Sequence, residues 1–203
     1  MAADSPARPE NDRKQQILES LARQLESNPG KRITTAALAR AVGVSEAALY
    51  RHFPSKARIF EGLMEFAEQT VFSRVNRILK EQDETEVRCG LILAVVLSFA
   101  SRNPGITRVL LGEALTGEPQ RLHQRAGRYF SRLETQLKQV LREGEAAGKV
   151  RLAIPVDGAA NLMLAVVEGR MRQFLRGGVS RSPLDNWEQQ WKILVRALFS
   201  PHN

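Results

Sequence analysis

The 203-residue chain has a single cysteine, Cys89, and only 6% aromatic residues. One thiol cannot build a disulfide framework or a multi-cysteine metal site, and it suits a reducing compartment. No apolar run approaches the roughly 20 residues that a bilayer span requires. The longest, Leu91 to Ala100, is short and is broken by Ser98. The opening stretch MAADSPARPENDRK is polar throughout, so no signal peptide and no membrane association are expected. Histidines number three (His52, His123 and His202), and no GxSxG elbow, Walker loop, HExxH pair or Rossmann fingerprint occurs. Glu113, Glu118 and His123 lie near one another without a nucleophile or a metal set, and read as surface groups. No enzyme activity, cofactor or metal is expected.

Apolar residues make up 43% of the chain, enough to bury a substantial core. Lys and Arg exceed Asp and Glu by 8, and the excess is unevenly placed. Residues 31–60 carry Lys31, Arg32, Arg40, Arg51, Lys56 and Arg58 against Glu46 alone, whereas residues 1–30 are slightly acidic. A basic cluster of this kind is either a solvated helix face or a surface that meets phosphates.

Apolar spacing predicts helices throughout, and the fold class is all-α. A first helix is expected from Asp12 to Ser27, then short helices over Thr35–Ala41 and Ser45–Phe53. A long helix follows, capped by Ser55 and reaching about Gln82. Further helices are expected near 84–101, 105–115, 118–147, 156–176 and 184–199. Val150–Val156 is the one short apolar stretch that could be extended. The expected organisation is a flexible tail over 1–11, a helix-turn-helix DNA-binding head over 12–57, and a helical dimerisation and partner-binding domain over 58–203.

Within the basic window, residues 34–53 match a helix-turn-helix. Two steeply crossing short helices need a small residue at their approach, supplied by Ala39, and a turn with positive φ, supplied by Gly43. Val42, Val44 and Leu49 are spaced to pack the pair onto the first helix, freeing the second for a DNA major groove.

The run Ala48-Leu49-Tyr50-Arg51-His52-Phe53-Pro54-Ser55-Lys56 resembles the close of the three-helix head in the TetR family of bacterial DNA-binding proteins. The longer run ITTAALARAVGVSEAALYRHFPSKARIFEGLMEF, with RNPGITRVL, is similar to the nucleoid-occlusion branch of that family. Candidate DNA contacts follow from chemistry. Thr34 and Thr35 open a helix suited to phosphate. Ser45, Glu46 and Ala47 begin the recognition helix, where Glu46 could accept from a cytosine amino group and Ala47 could meet a thymine methyl. Tyr50, Arg51 and His52 can reach backbone or bases, although Tyr50 and His52 could instead pack on the fourth helix. Lys56 stands at the next helix N-terminus as a point charge for phosphate.

In the last two helices, Trp187, Trp191, Leu194, Val195 and Leu198 recur at helical spacing, and Leu164 and Met171 belong to the facing apolar surface. The resemblance implies a homodimer through these helices, although they could simply close the protomer core. A two-fold dimer implies palindromic sites in double-stranded DNA, taken by one dimer or two.

TetR relatives commonly hold a small ligand in the second domain. Here the central helices offer few buried polar groups, so a small-molecule ligand is not expected. The nucleoid-occlusion resemblance implies instead that the DNA-bound protein binds FtsZ, the tubulin-like division GTPase, and disrupts its polymers. The candidate groove carries Phe66 and Arg74 on the fourth helix and Val95, Ser98, Arg102 and Asn103 on or just past the fifth. The alternative is that Phe66 and Val95 are core and the arginines solvated. The protein implied is cytoplasmic and nucleoid-associated; the alternative function is a ligand-responsive TetR-type repressor.

Overall fold

The computed structural model describes residues 10–200, so the tail expected over 1–11 lies almost wholly outside the described residues. The chain folds as α1 (Glu10–Ser27), α2 (Thr35–Val42), α3 (Glu46–His52), α4 (Lys56–Glu81), α5 (Thr85–Arg102), α6 (Pro104–Leu110), α7 (Gln120–Ala146), α8 (Val156–Arg176) and α9 (Trp187–Leu198). Two short strands, β1 (Arg151–Leu152) and β2 (Phe199–Ser200), and a 3-10 turn over Glu113–Leu115 complete it.

Local chemistry explains the head. Thr34 is extended, and its hydroxyl accepts from the Ala37 amide at 3.2 Å, satisfying one of the free donors that open α2. Gly43 closes α2 at φ 73°, a left-handed conformation that costs a side-chain-bearing residue energy, and the Val44 amide then bonds the Ala39 carbonyl. Ser45 caps α3 through Ala48, and Ser55 caps α4 through Arg58. Ile17, Leu21 and Leu25 of α1 are buried with Leu38, Ala39 and Leu49, while Val42 and Val44 pack half-buried around them. The spacing expected of the helix pair is the spacing observed.

The long α4 crosses into the body, where it packs against α5 and α7; α8 closes the layer on α5 and α7. Its interior holds Val71, Phe72, Ile92, Val96, Leu97, Tyr129, Leu133, Met163 and Val167, all under 5% exposed. Burial pushes the Cys89 thiol up to about 12. Head and body meet where α6 lies on α1.

Two expectations are corrected and one is met. The helix expected over 105–115 stops at Leu110, because Gly112 turns left-handed and leaves a separate 3-10 turn. The helix expected from 184 starts at Trp187, after a turn through Pro183 and a positive-φ Asn186. The Val150–Val156 stretch does hold a strand: Leu152 pairs antiparallel with Phe199, and the Ala153 amide bonds the Leu198 carbonyl at 2.9 Å. Ser200 precedes Pro201, which biases the chain there away from helix. Arg88 was not singled out by its sequence context. It bonds the Gln82 and Leu79 carbonyls at 2.6 and 3.0 Å, placing a cation on the otherwise unpaired end of α4.

Candidate nucleic-acid interface

The α2–α3 pair presents one solvent-facing surface. Thr34, Ser45, Glu46, Ala47, Tyr50 and Arg51 are exposed and Thr35 is half-buried. The hydroxyls of Thr34 and Ser45 are occupied in capping. Thr35 donates to Glu46 Oε2 at 2.7 Å and receives the Tyr50 hydroxyl at 3.4 Å. These three side chains bridge the two helices on the outer face, so Glu46 enters the free state with one acceptor already engaged. Tyr50 keeps 42% of its surface in solvent.

Two residues sit differently from the sequence expectation. His52 is half-buried, and its Nδ1 is enclosed with no hydrogen-bond partner among the described residues; the ring packs inward rather than standing out as a surface donor. Lys56 is not a free point charge. Its ammonium pairs with Glu118 at 2.5 Å, at 22% side-chain exposure, and lies 5.6 Å from the Phe60 ring. The reason is tertiary: the loop entering α7 comes back to the N-terminus of α4, a juxtaposition with no local signal.

The second candidate set lies on α4, α5 and the residue that closes α5, two helices that pack together. Phe66, on the edge of exposure, lies 6.3 Å from the buried Phe99 ring, centre to centre. Arg74 is exposed, Val95 is half-buried, and Arg102 donates to the Ser98 hydroxyl at 2.8 Å. Asn103 is turned back onto the Phe99 carbonyl at 2.9 Å, closing α5 rather than facing outward. Leu91 and Val87, both 38% exposed, extend the same α5 face by four-residue steps. Their i, i+4 relation to Val95 is the signal that would have found them.

The proposed dimer residues divide. Leu164, Met171, Trp187 and Leu198 are 6% exposed or less within one protomer. They are buried in the protomer's own core. Trp191, Leu194 and Val195 remain half-buried. The outward apolar residues are Leu162 on α8 at 41% and Ile193 on α9 at 64%.

A short helix pair turned on glycine, with its second helix outward on a helical body, defines a helix-turn-helix DNA-binding regulator. The sequence profile described as bacterial regulatory proteins, tetR family, matches residues 17–63, and that described as tetracyclin repressor-like, C-terminal domain, of the SlmA-like type, matches residues 83–199. The nucleoid occlusion factor SlmA of Alteromonas mediterranea is 53% identical over 92% of this chain and 95% of its own. That of Marinomonas sp. is 50% identical over 93% and 95%. Among solved structures, the MbdR regulator from Azoarcus sp. superposes with a TM-score of 0.77 at 17% identity, over 93% of this chain and all of its own. The fatty acid degradation regulator FadR from Bacillus halodurans reaches 0.79 at 12% identity, over 96% of this chain and 97% of its own; at these identities the likeness shows the fold alone. The chain belongs to the SlmA branch of the TetR family.

Proposed function

We propose that the chain is a nucleoid occlusion factor that binds dispersed palindromic chromosomal sites as a homodimer and, once on DNA, binds FtsZ and disrupts its polymers, so that no division septum assembles over the nucleoid. The observation that carries this reading is the identity of half or more of the aligned residues, over almost the whole length of both chains, with proteins of that name.

The head (12–57) is the DNA reader. Ser45, Glu46 and Ala47 at the start of α3 enter the major groove. Tyr50 and Arg51 reach bases or backbone, and Thr34 and Thr35 at the α2 N-terminus meet phosphate. Contact with DNA exchanges the Thr35–Glu46 bond for contacts of each residue with the duplex. His52 supports α3 from behind, and Lys56 supplies a phosphate charge at the start of α4.

The body (58–203) pairs two heads at the spacing a palindrome requires, through the outward faces of α8 and α9, and it presents the α4–α5 groove. Phe66, Leu91 and Val95 give that groove an apolar floor with Arg74 and Arg102 beside it, the combination that anchors a protein partner. Asn103 contributes by fixing the end of α5. This activity places the protein in the cytoplasm, on the nucleoid, as one dimer or two per site.

Chromatin immunoprecipitation of the chain tests the reading. Many dispersed palindromic sites are expected; occupancy confined to one or a few promoters overturns nucleoid occlusion and favours a ligand-responsive repressor.

A further inference from the structure

A cleft of about 440 Å³ separates head from body, and Lys56 and Glu118 meet inside it. They are 62 residues apart: Lys56 is the first residue of α4, and Glu118 belongs to the loop that enters α7. Their 2.5 Å contact ties the DNA-reading head to the body across the cleft. Glu118 is the more enclosed partner, its side chain 10% exposed against 22% for Lys56, so the carboxylate draws its compensation from the ammonium rather than from water. Lys56 is also the residue proposed above to supply a phosphate charge at the start of α4. One ammonium cannot hold both anions at full strength.

We infer that Glu118 is a positioning residue for DNA binding: in the free protein it keeps the Lys56 ammonium inside the head–body cleft, and docking on a duplex moves that ammonium to a backbone phosphate. The inference rests on the reading of Lys56 as a phosphate contact. The lysine stem is long and flexible enough to swing out without moving α4. Other cations line the cleft into which Glu118 faces. Arg108 lines the same cleft at 12% side-chain exposure; it holds Glu113 at 3.1 Å, and its Nε is enclosed without a hydrogen-bond partner among the described residues. Lys31 and Arg32 line the cleft as well. The α6–α7 loop, part of the body, thereby sets how much of the head's positive charge is offered to DNA.

The test is a double-mutant cycle on the full chain, read by fluorescence anisotropy with a labelled random-sequence duplex over a series of salt concentrations. Glu118→Gln keeps the side-chain volume and removes the competing charge, and should tighten binding about three- to tenfold. Lys56→Ala should make the slope of log K against log salt shallower by about 0.9 per protomer. In the Lys56→Ala background Glu118→Gln should then do nothing. Glu113→Gln removes a charge from the same cleft without touching Lys56 and should leave affinity unchanged. A gain from Glu118→Gln that persists without Lys56, or is matched by Glu113→Gln, is general electrostatics and overturns the inference. A shallower slope for Lys56→Ala with a neutral Glu118→Gln retains the phosphate contact and rejects Glu118's part in it. An unchanged slope for Lys56→Ala removes both.

Discussion

Gly105 of α6 sits directly on the Ala22 carbonyl of α1: a methyl group added at Gly105 would lie 2.1 Å from that oxygen. The obstacle is backbone, so no rotamer change can relieve it, and the joint between head and body exists only because this position lacks a Cβ. Gly105→Ala must push α6 off α1. Overpacking of this kind costs about 1–3 kcal/mol, to be measured by urea unfolding. DNA affinity should fall further than stability accounts for, since the displaced α1 carries the helix pair. Wild-type stability in Gly105→Ala would show that the two helices are free to separate.

Tyr50 is half in solvent, and the bond its hydroxyl makes among the described residues is a long one to Thr35. Tyr50→Ala should therefore change unfolding free energy by no more than about 0.5–1 kcal/mol. Affinity for a site recovered from the chromosome should drop by roughly tenfold or more, the range for loss of a contact made in the groove. Anisotropy titration at fixed salt, alongside thermal melting, separates the two effects. Equal affinity for wild type and variant removes Tyr50 from the interface.

The parts legible in the sequence are those whose physics is local. Thr34, Gly43, Ser45 and Ser55 announce caps and a left-handed turn within four residues of the groups they satisfy, so α2, α3 and the start of α4 could be placed closely. The spacing of Val42, Val44 and Leu49 marked the packed face of the helix pair for the same reason. Contacts made across the fold left no such mark. Lys56 looks like a free cation until a loop 62 residues away delivers Glu118. The β1–β2 pair joins segments nearly fifty residues apart, with too few residues in each to show a period of two. In α8 and α9 the apolar periodicity was real, but spacing alone did not separate Leu164, Met171, Trp187 and Leu198, buried in the protomer, from Trp191, Leu194 and Val195, which stay half-buried. Ile193, which breaks the pattern in α9, is exposed, as is Leu162 in α8.

The α4–α5 groove makes a prediction of its own. Arg74 and Arg102 are both exposed, and neither is part of the helix pair. Arg74→Asp and Arg102→Asp should each abolish FtsZ pull-down in the presence of DNA, the loss of an arginine anchor being worth about 2 kcal/mol or more. DNA affinity should stay within about twofold, because neither residue is placed against the duplex and long-range charge effects are screened at physiological salt. Retained FtsZ capture by both variants would count against the groove; loss of DNA binding as well would mean that the substitutions disturb the head.

Dimerisation offers a contrast between residues close together in sequence. Leu162 and Ile193 point outward from α8 and α9, whereas Met171, also on α8, is 1% exposed inside the protomer. Leu162→Asp and Ile193→Asp should each shift the protein to monomer in sedimentation velocity while leaving its helical content intact, since in one protomer these side chains cover little. The monomer should lose affinity for palindromic sites because the two half-sites no longer bind as one unit. Met171→Ala should do the reverse: it opens a cavity in the core at a cost of about 2–5 kcal/mol and leaves the folded fraction dimeric. Should Met171→Ala instead dissociate the dimer at unchanged stability, the interface runs along the inner face of α8, and the protomer core must be closed by the partner chain.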